Sequence, residues 1–255
     1  MEAYDRVCMA RAKGRATSMS YIKNLFDSFV EMHGDRRVSD DKAIVSGIAK
    51  FDGKPVTVIG IEKGVTTKER VERNFGSVHP DGYRKALRQM KLAEKFLRPV
   101  ICFVDTAGAY CGIEAEERGQ GQAIAENLME MMTLKVPIIS IFIGEGGSGG
   151  ALALAVADRV WMLENAIYSV ISPEGCASIL WKDATKVREA SECLKLTADD
   201  LLKLNIIEKV IPEFSGNQDK VYEALKENLR TELSLLKGMT EEEMLAARYE
   251  RFRKF

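Results

Sequence analysis

The strongest constraint on the fold of this chain is a pattern that occurs twice in succession near its middle. Each time, an apolar run ends in a loop of small residues and a helix-forming segment follows: VICFVD precedes TAGAY, and IISIFI precedes GEGGSGG. Strand, loop and helix repeated in this way predict parallel βαβ-type units and therefore an α/β domain. The run ALALAVA after the second loop has no polar face, so we expect it to form a fully buried helix.

Local signals predict the elements on the N-terminal side of these units. Residues 17–32 (TSMSYIKNLFDSFVEM) carry apolar residues at helical spacing, which predicts one amphipathic helix. The runs AIVSGIAKF and KPVTVIGI flank Asp52 and Gly53, a combination typical of a β-hairpin. Pro80 and Gly82 then introduce a helix over YRKALRQMKLAEKFL.

Helices are also predicted towards the end of the sequence. Residues 218–237 have a helical pattern that stops at Gly238, and Thr240 with Glu243 forms the capping-box signature of a final helix. This segment carries many charges and no chemical motif. We therefore expect it to pack against the domain or to dock a partner.

Composition argues against several classes of protein. The chain has 255 residues with a formal net charge of −1, so there is no electrostatic reason to expect nucleic-acid binding. Its start lacks an apolar signal region, and no run approaches the roughly 18 apolar residues that span a bilayer, so we expect a cytoplasmic protein without a membrane partner. The five cysteines form no C-x-x-C pair and there are only two histidines, which predicts reduced thiols and no metal site.

The sequence GEGGSGG (residues 144–150), called the glycine loop below, fits three known motifs. As a P-loop it lacks the lysine and hydroxyl residue that must follow, because Gly150 and Ala151 stand there. As a nucleophile elbow it would use Ser148, but no histidine follows position 79 to act as its base. We therefore expect Ser148 to be a small residue that caps the following helix.

The third motif is the dinucleotide-binding fingerprint G-x-G-x-x-G, formed by Gly144, Gly146 and Gly149. Glu164 lies 20 residues after Gly144, where an acid that binds a ribose is expected. One fingerprint does not explain the earlier loop TAGAY (residues 106–110), called the small-residue loop below. An NAD-dependent oxidoreductase nevertheless remains an alternative function.

A fourth interpretation accounts for both loops. Backbone N–H groups at a helix start are unpaired and lie at the positive end of the helix dipole, and glycine lets an anionic atom approach them closely. If the anion exists only in the transition state, the two loops form an oxyanion hole. Such a site needs few catalytic side chains, which agrees with a sequence that shows no evident base or metal cluster.

Several long segments resemble the α subunits of bacterial acetyl-CoA carboxylase carboxyltransferase. They include DTAGAYCGIEAEERGQGQAIAENL, EGGSGGALALAVADRVWMLENAIYSVISPEGCASILWKDA and the ending RYERFRKF. The resemblance covers nearly the whole chain, and SPEGCASILWKDA is highly specific. It implies an α/β fold of the crotonase/ClpP-like type, a spiral of ββα units with helical N- and C-terminal extensions. The segments implied are a helical extension (1–40), a carboxyltransferase core (41–215) and C-terminal helices (216–255).

The same resemblance implies a reaction and its partners. The family transfers a carboxyl group from carboxybiotin, held on a separate biotin carboxyl carrier protein, to acetyl-CoA, and so forms malonyl-CoA for fatty acid biosynthesis. A homologous β subunit completes the active site, typically in an α2β2 heterotetramer, and is expected to make most contacts to the coenzyme A thioester. This chain has neither the biotinylation motif A-M-K-M nor the four-cysteine zinc ribbon of β subunits, so we expect no attached biotin and no metal in it.

The resemblance also implies roles for the two loops, since α is expected to hold the ureido oxygen of biotin with backbone donors. The catalytic residues expected here are Gly146, Gly147, Gly149 and Gly150, with Gly108 and Ala109 on the opposite lip. The residues expected to bind biotin are Gly108, Ala109, Tyr110, Gly149 and Gly150. Four nearby charged residues are expected to be ordinary exposed charges: Glu114, Glu116, Glu117 and Arg118.

The sequence departs from the commonest family pattern near these loops. Ala107 and Cys111 stand where prolines are expected, Glu114 where glycine is usual, and Val65 where arginine often follows a lysine-glycine pair. The missing prolines leave the unfolded loop less restricted. A non-catalytic scaffold homologue that keeps the fold is a second alternative.

Overall fold

The structure, a computed structural model that describes all 255 residues, is built around one sheet of eight strands. The strands are β1 (Ser28–Glu31), β2 (Ile44–Phe51), β3 (Lys54–Ile61), β4 (Val100–Thr106), β5 (Ile138–Gly147), β6 (Arg159–Leu163), β7 (Ile167–Ser169) and β8 (Lys209–Ile211). Seven of them follow one another in the order β1-β2-β3-β4-β5-β6-β8, and β7 pairs with β5. The first three are antiparallel and the others are parallel, so the core has the predicted βαβ character.

Twelve α-helices surround the sheet, and none has both the length and the hydropathy to cross a membrane. The helices before the glycine loop are α1 (Ala3–Ala10), α2 (Ser18–Leu25), α3 (Thr67–Glu72), α4 (Pro80–Lys95), α5 (Ile113–Glu117) and α6 (Gln120–Thr133). The later ones are α7 (Ser148–Leu152), α8 (Pro173–Trp181), α9 (Val187–Leu194), α10 (Ala198–Lys203), α11 (Gln218–Lys237) and α12 (Glu241–Phe252). Short 3₁₀ turns occur at Asn74–Gly76, Ala184–Lys186 and Phe214–Gly216.

Elements with strong local signals form where the sequence predicts them. Strands β2 and β3 form an antiparallel hairpin whose turn residues, Asp52 and Gly53, have φ of 48° and 72°, as a tight two-residue turn requires. Helix α4 begins at Pro80. Helix α11 ends with Gly238 as its C-cap, and the predicted capping box of Thr240 and Glu243 starts α12. In each case a cap or turn residue defines a boundary that hydrophobic periodicity alone leaves open.

The single helix predicted over residues 17–32 is wrong in its second half. Helix α2 ends at Leu25, and residues 28–31 form β1, which pairs antiparallel with β2. Gly47 makes this pairing possible, because a Cβ there would lie 2.1 Å from the carbonyl oxygen of Val30. Pairing with a distant strand therefore overrides helical periodicity, and the segment predicted as a helical extension adds a strand to the sheet.

The helix predicted for ALALAVA is also wrong for most of its length. Helix α7 covers only five residues and ends at Leu152, and turns continue the chain to the start of β6 at Arg159. The burial of this run was predicted correctly, since Ala151 and the residues from Ala153 to Ala157 are all buried. The division into segments at 40/41 and 215/216 stays a prediction.

One buried arginine attaches the C-terminal helices to the core. Arg248 of α12 is fully buried and forms two hydrogen bonds with the carboxylate of Asp158, at 2.8 Å each. Its remaining N–H groups donate to the carbonyl oxygens of Met131, in the last turn of α6, and of Leu134 and Val136, between α6 and β5. Every donor of the guanidinium is therefore used, as burial of a charge in a protein interior requires.

Replacing Arg248 with methionine should lower the free energy of unfolding by about 3–5 kcal/mol, because it leaves the Asp158 carboxylate buried without its cation. Denaturant unfolding followed by circular dichroism measures this difference. Arg253→Met, at an exposed position on the same C-terminal segment, is the control and should change stability little. Equal effects of the two substitutions would contradict the anchoring role of Arg248.

Candidate active site

The glycine loop and the small-residue loop lie side by side because they follow neighbouring parallel strands. Thr106 at the end of β4 pairs with Gly146 near the end of β5. A Cβ on Gly147 would lie 2.0 Å from the carbonyl oxygen of Ala107, and a Cβ on Gly150 would lie 2.4 Å from the amide nitrogen of Ala109. Only glycine fits at these two contacts, so the two loops are in direct contact. That they form the two sides of one catalytic site stays a prediction.

The glycine loop is divided between a strand and a helix. Residues up to Gly147 belong to β5, and Ser148 is the first residue of α7. The prediction that Ser148 caps this helix is wrong, since Gly147 is the N-cap and no side chain caps the helix. Ser148 instead is exposed and has a left-handed φ of 55°, which is uncommon for a residue with a side chain.

A serine nucleophile at this position has no base. His79, one of the two histidines of the chain, stacks on the ring of Tyr110 with centroids 4.0 Å apart. Its Nδ1 faces the guanidinium of Arg118 at 3.1 Å and therefore acts as the acceptor. The imidazole is thus engaged away from the glycine loop, in agreement with the sequence-based argument against a hydrolase.

The backbone of the small-residue loop is largely used within the protein. The N–H of Gly108 donates to Oγ1 of Thr106 at 3.0 Å, and the N–H of Tyr110 donates to the carbonyl oxygen of Val78 at 3.0 Å. Gln120 donates from Nε2 to the carbonyl oxygen of Tyr110 at 2.8 Å. Gly108 is therefore a poor candidate for an anion donor in this geometry, whereas the amide of Ala109 faces Gly150.

Arg118 differs from the exposed loop charge that the sequence suggests. Its Nη1 donates to the buried carboxylate of Asp81 at 2.7 Å, and the Arg118 side chain is 27% exposed. The guanidinium thereby connects α4 to the ring of His79, and through stacking to Tyr110. The three neighbouring acids Glu114, Glu116 and Glu117 are exposed, as expected.

A group of four charged side chains, one of them from the glycine loop itself, lies beside the two loops. Nζ of Lys63 contacts Asp105 at 2.7 Å and Glu145 at 2.9 Å, and Nε of Arg11 donates to Glu145 at 2.7 Å. Asp105 also accepts the backbone N–H of Glu145 at 2.9 Å. We call Arg11, Lys63, Asp105 and Glu145 the loop-support cluster.

Burial and ion pairing shift the pKa values of Glu145 and Lys63 in opposite directions, and the effect of ion pairing is the larger. Burial would raise the pKa of Glu145, but the charges of Lys63 and Arg11 outweigh it and hold that pKa below its usual value. Burial would likewise lower the pKa of Lys63, but Asp105 and Glu145 raise it. The ion pair of Lys63 and Glu145 therefore stays charged at neutral pH. Sequence analysis did not identify these residues as a group, because their partners are far apart in the chain.

Two cavities open beside the loops. One, of about 340 Å³, is mostly apolar and is bordered by Ser148 and Gly149 together with Leu152, Tyr168 and Val170. The other, of about 220 Å³, lies against Ala107 and the loop-support cluster and is lined mainly by polar and charged residues. The first cavity has the size and lining of a pocket for a small ring system. No group of three or more His, Cys, Asp or Glu side chains is placed to hold a metal ion.

The dinucleotide-binding alternative finds no support in the arrangement of strands. Strands β3 to β6 lie in sequential order, whereas a dinucleotide fold reverses its strand order at the binding crevice. Both oxygens of the Glu164 carboxylate are occupied, one by Arg6 and the other by the backbone N–H of Glu213. Glu164 therefore connects distant segments of the chain and is not free to bind a ribose.

The fold is that of carboxyltransferases. A transcarboxylase 12S crystal structure, with methylmalonyl-coenzyme A and methylmalonic acid bound, superimposes with a TM-score of 0.69 and 19% identity, over 85% of this chain and 42% of that chain. The β subunit of geranyl-CoA carboxylase from P. aeruginosa gives a TM-score of 0.67 and 16% identity, over 90% of this chain and 44% of that chain. The expected crotonase-like α/β fold is confirmed.

Sequence comparison is more specific. The model of the acetyl co-enzyme A carboxylase carboxyltransferase-like family matches residues 1–255. The acetyl-coenzyme A carboxylase carboxyl transferase subunit alpha of Ruminiclostridium cellulolyticum is 64% identical over 254 residues, covering 100% of this chain and 98% of its own. The subunit of the same name from Clostridium acetobutylicum is 58% identical, over 98% and 93% of the two chains. This chain belongs to the acetyl-CoA carboxylase carboxyltransferase α-subunit family, as its sequence motifs indicate.

The loop-support cluster should make stability depend on pH in acid. Because the pKa of Glu145 is depressed from 4.5 in the folded protein, its contribution is fully present above pH 4.5 and is lost as the pH falls through the folded pKa. The difference in free energy of unfolding between the wild-type protein and Glu145→Gln should therefore shrink as the pH falls below that value. Urea unfolding at a series of pH values measures it.

Glu116→Gln removes an exposed carboxylate that forms no ion pair and serves as the control. Its effect on stability should stay small throughout the same pH range. A difference for Glu145→Gln that stays constant or grows in acid would contradict the charge assignment of the cluster.

Proposed function

We propose that this chain is the α component of an acetyl-CoA carboxylase carboxyltransferase. In this reaction a carboxyl group passes from carboxybiotin on a separate carrier protein to the methyl carbon of acetyl-CoA and yields malonyl-CoA for fatty acid biosynthesis. The observation that carries the proposal is the contact of the two loops through Gly147 and Gly150, in a chain that is 64% identical to an α subunit over its whole length. No side chain near the loops is arranged as a base or nucleophile, which favours catalysis by backbone groups.

The role proposed for the loops is to stabilise negative charge. Biotin, when bound, supplies a ureido oxygen that becomes negative as the carboxyl group leaves, and its ureido group can take the methyl proton of the thioester. The backbone N–H groups at the start of α7, in Ser148, Gly149 and Gly150, have no earlier turn of helix to pair with. Since α7 has only five residues, these individual donors and not a long helix dipole would supply the stabilisation.

The cavity beside the glycine loop fits a biotin ring system. Its volume of about 340 Å³ and its apolar walls at Leu152, Tyr168 and Val170 suit a small fused ring, and Ser148 and Gly149 border it on the side of the candidate donors. Of the residues expected to bind biotin, Gly149 and Gly150 belong to this wall or its helix, and Ala109 contacts Gly150. Gly108 and Tyr110 would then shape the opposite lip through their own hydrogen bonds.

A second polypeptide is needed to complete the site in this proposal. The chain spans 42% and 44% of the lengths of the two carboxyltransferase chains that share its fold, so a single chain of that kind contains more than this one. We propose that a β subunit contributes the remaining part and the coenzyme A contacts, in an α2β2 heterotetramer, and that a biotin carboxyl carrier protein delivers the carboxyl group. A cytoplasmic location stays a prediction.

The direct test is an assay of malonyl-CoA formation by this chain together with the β subunit of the same organism, a carboxybiotin donor and acetyl-CoA. Formation that requires both subunits is expected. A complex that assembles but forms no malonyl-CoA would favour a non-catalytic scaffold, and NAD binding by the isolated chain would favour the oxidoreductase alternative.

Substitution of the close-contact glycines should separate assembly from turnover. Gly147→Val and Gly150→Val place a side chain on the backbone of the opposing loop, so we expect a loss of turnover of at least 100-fold, comparable with removal of an oxyanion donor. The complex should still form on size-exclusion chromatography. Gly121→Ala, at a position with no atom within 4 Å of the added Cβ, is the matched control and should retain activity. Full activity of the Gly147 and Gly150 variants would refute the assignment.

A further inference from the structure

We propose that the loop-support cluster positions the glycine loop for catalysis, and that Arg11, at the C-terminal end of helix α1, connects this helix to the active site. This inference rests on the carboxyltransferase function proposed above. In it, Arg11, Lys63, Asp105 and Glu145 are positioning residues. They act on the reaction by fixing where the backbone donors of the glycine loop point, without contact to substrate.

The pairing of β4 with β5 contains a bulge where the two strands end. Val104 pairs with Phe142 and Thr106 with Gly146, so β4 advances by two residues while β5 advances by four. Bulges of this kind change the direction of a strand and are common beside active sites. Here the extra residues lie immediately before the glycines that contact the opposing loop, so the shape of the bulge determines the direction of the glycine loop.

Asp105 satisfies the backbone inside this bulge. Its Oδ1 accepts the N–H of Glu145 at 2.9 Å, in the place of a strand partner. The fit is close, because a Cβ on Gly144 would lie 2.4 Å from the same oxygen. A side-chain carboxylate, and not a second strand, therefore holds the backbone of the glycine loop in its bulged path.

That arrangement places two carboxylates close together in a buried position, and they need cations. The side chains of Asp105 and Glu145 are 7% and 11% exposed. Lys63, just after the end of β3, lies between them, and Arg11 binds the other oxygen of Glu145. Without these cations the carboxylates would repel one another across the bulge, and the loop would lose its fixed direction.

Arg11 extends the support beyond the sheet. Its Nη1 contacts Glu174, in the first turn of α8, at 2.7 Å, while its Nε holds Glu145. Arg15, four residues later, donates to the carbonyl oxygen of Ile143 at 2.6 Å, also inside the bulge. The N-terminal segment therefore contacts the bulge twice, which a segment serving only to cover the surface would not need to do.

The chain contains a matched pair for a controlled experiment. Arg159 and Glu232 form an ion pair of 2.7 Å with side-chain exposures of 30% and 11%, and Arg11 with Glu145 has the same distance with exposures of 34% and 11%. Arg159 begins β6 and pairs with Ile139 near the start of β5, so it lies at the opposite end of these strands from the glycine loop. Removing either arginine should cost similar stability, but only Arg11 should affect catalysis.

The experiment compares Arg11→Met, Arg11→Lys and Arg159→Met in the assembled carboxyltransferase with its β subunit. We expect Arg11→Met to lower kcat about 10- to 100-fold, while the KM for each substrate changes less than about twofold. The reason is that a backbone donor that points in the wrong direction stabilises the transition state less, whereas substrate binding is little affected. Arg11→Lys retains a charge at Glu145 and should recover part of kcat. Arg159→Met should keep full kcat with a comparable fall in melting temperature.

A second measurement does not depend on activity. Hydrogen exchange of the isolated full-length chain, followed by mass spectrometry, should show faster exchange in the peptide that contains residues 144–150 for Arg11→Met but not for Arg159→Met. Unchanged exchange of that peptide, or equal loss of kcat in both variants, would overturn the inference. Failure of the wild-type complex to form malonyl-CoA would overturn the proposed function, and the exchange result would still decide whether the cluster positions the loop.

Discussion

The carboxylate of Asp105 fills the gap that opens where β4 and β5 stop pairing in register, and the rest of the site depends on that contact. It accepts the N–H of Glu145 and leaves no room for a side chain on Gly144. A buried carboxylate needs a partner for its charge, and Lys63 supplies a cation from just after β3. Glu145 adds a second negative charge and pairs with Arg11 at the C-terminal end of α1. One irregularity in strand pairing thereby links the sheet, the N-terminal helix and the glycine loop.

This arrangement also explains why the loops can lack catalytic side chains. Gly147 and Gly150 allow two backbones to approach more closely than any other residue would permit. Backbone groups held in this way need no further ordering when charge develops, and preorganisation of that kind is a large source of catalytic power in enzymes. The charged residues lie beside the loops, where they support the backbone, while the side of α7 that carries Ser148 and Gly149 faces a mostly apolar cavity.

The family and the crotonase-like fold could be predicted from the sequence, because long motifs specify them and local signals mark the hairpin and the later helices. The errors have non-local causes. Residues 28–31 form a strand because they pair with the edge of β2. Helix α7 ends at Leu152 although the apolar run continues beyond it. The ion pair of Arg118 could not be predicted from the sequence, because its partner Asp81 lies 37 residues away. The loop-support cluster could not be predicted for the same reason, since Lys63 and Glu145 are 82 residues apart.

The same separations determine the order in which the chain can assemble during synthesis. Arg11 is synthesised 134 residues before its partner Glu145, and Arg15 is synthesised 198 residues before its partner Glu213. Domains usually begin to fold from the end made first, and contacts between distant residues form slowly. Arg11 therefore cannot pair with Glu145 until β5 has been synthesised, and Arg15 cannot pair with Glu213 until later still. Until Arg11 docks, Lys63 is the cation that faces the nascent Glu145 carboxylate.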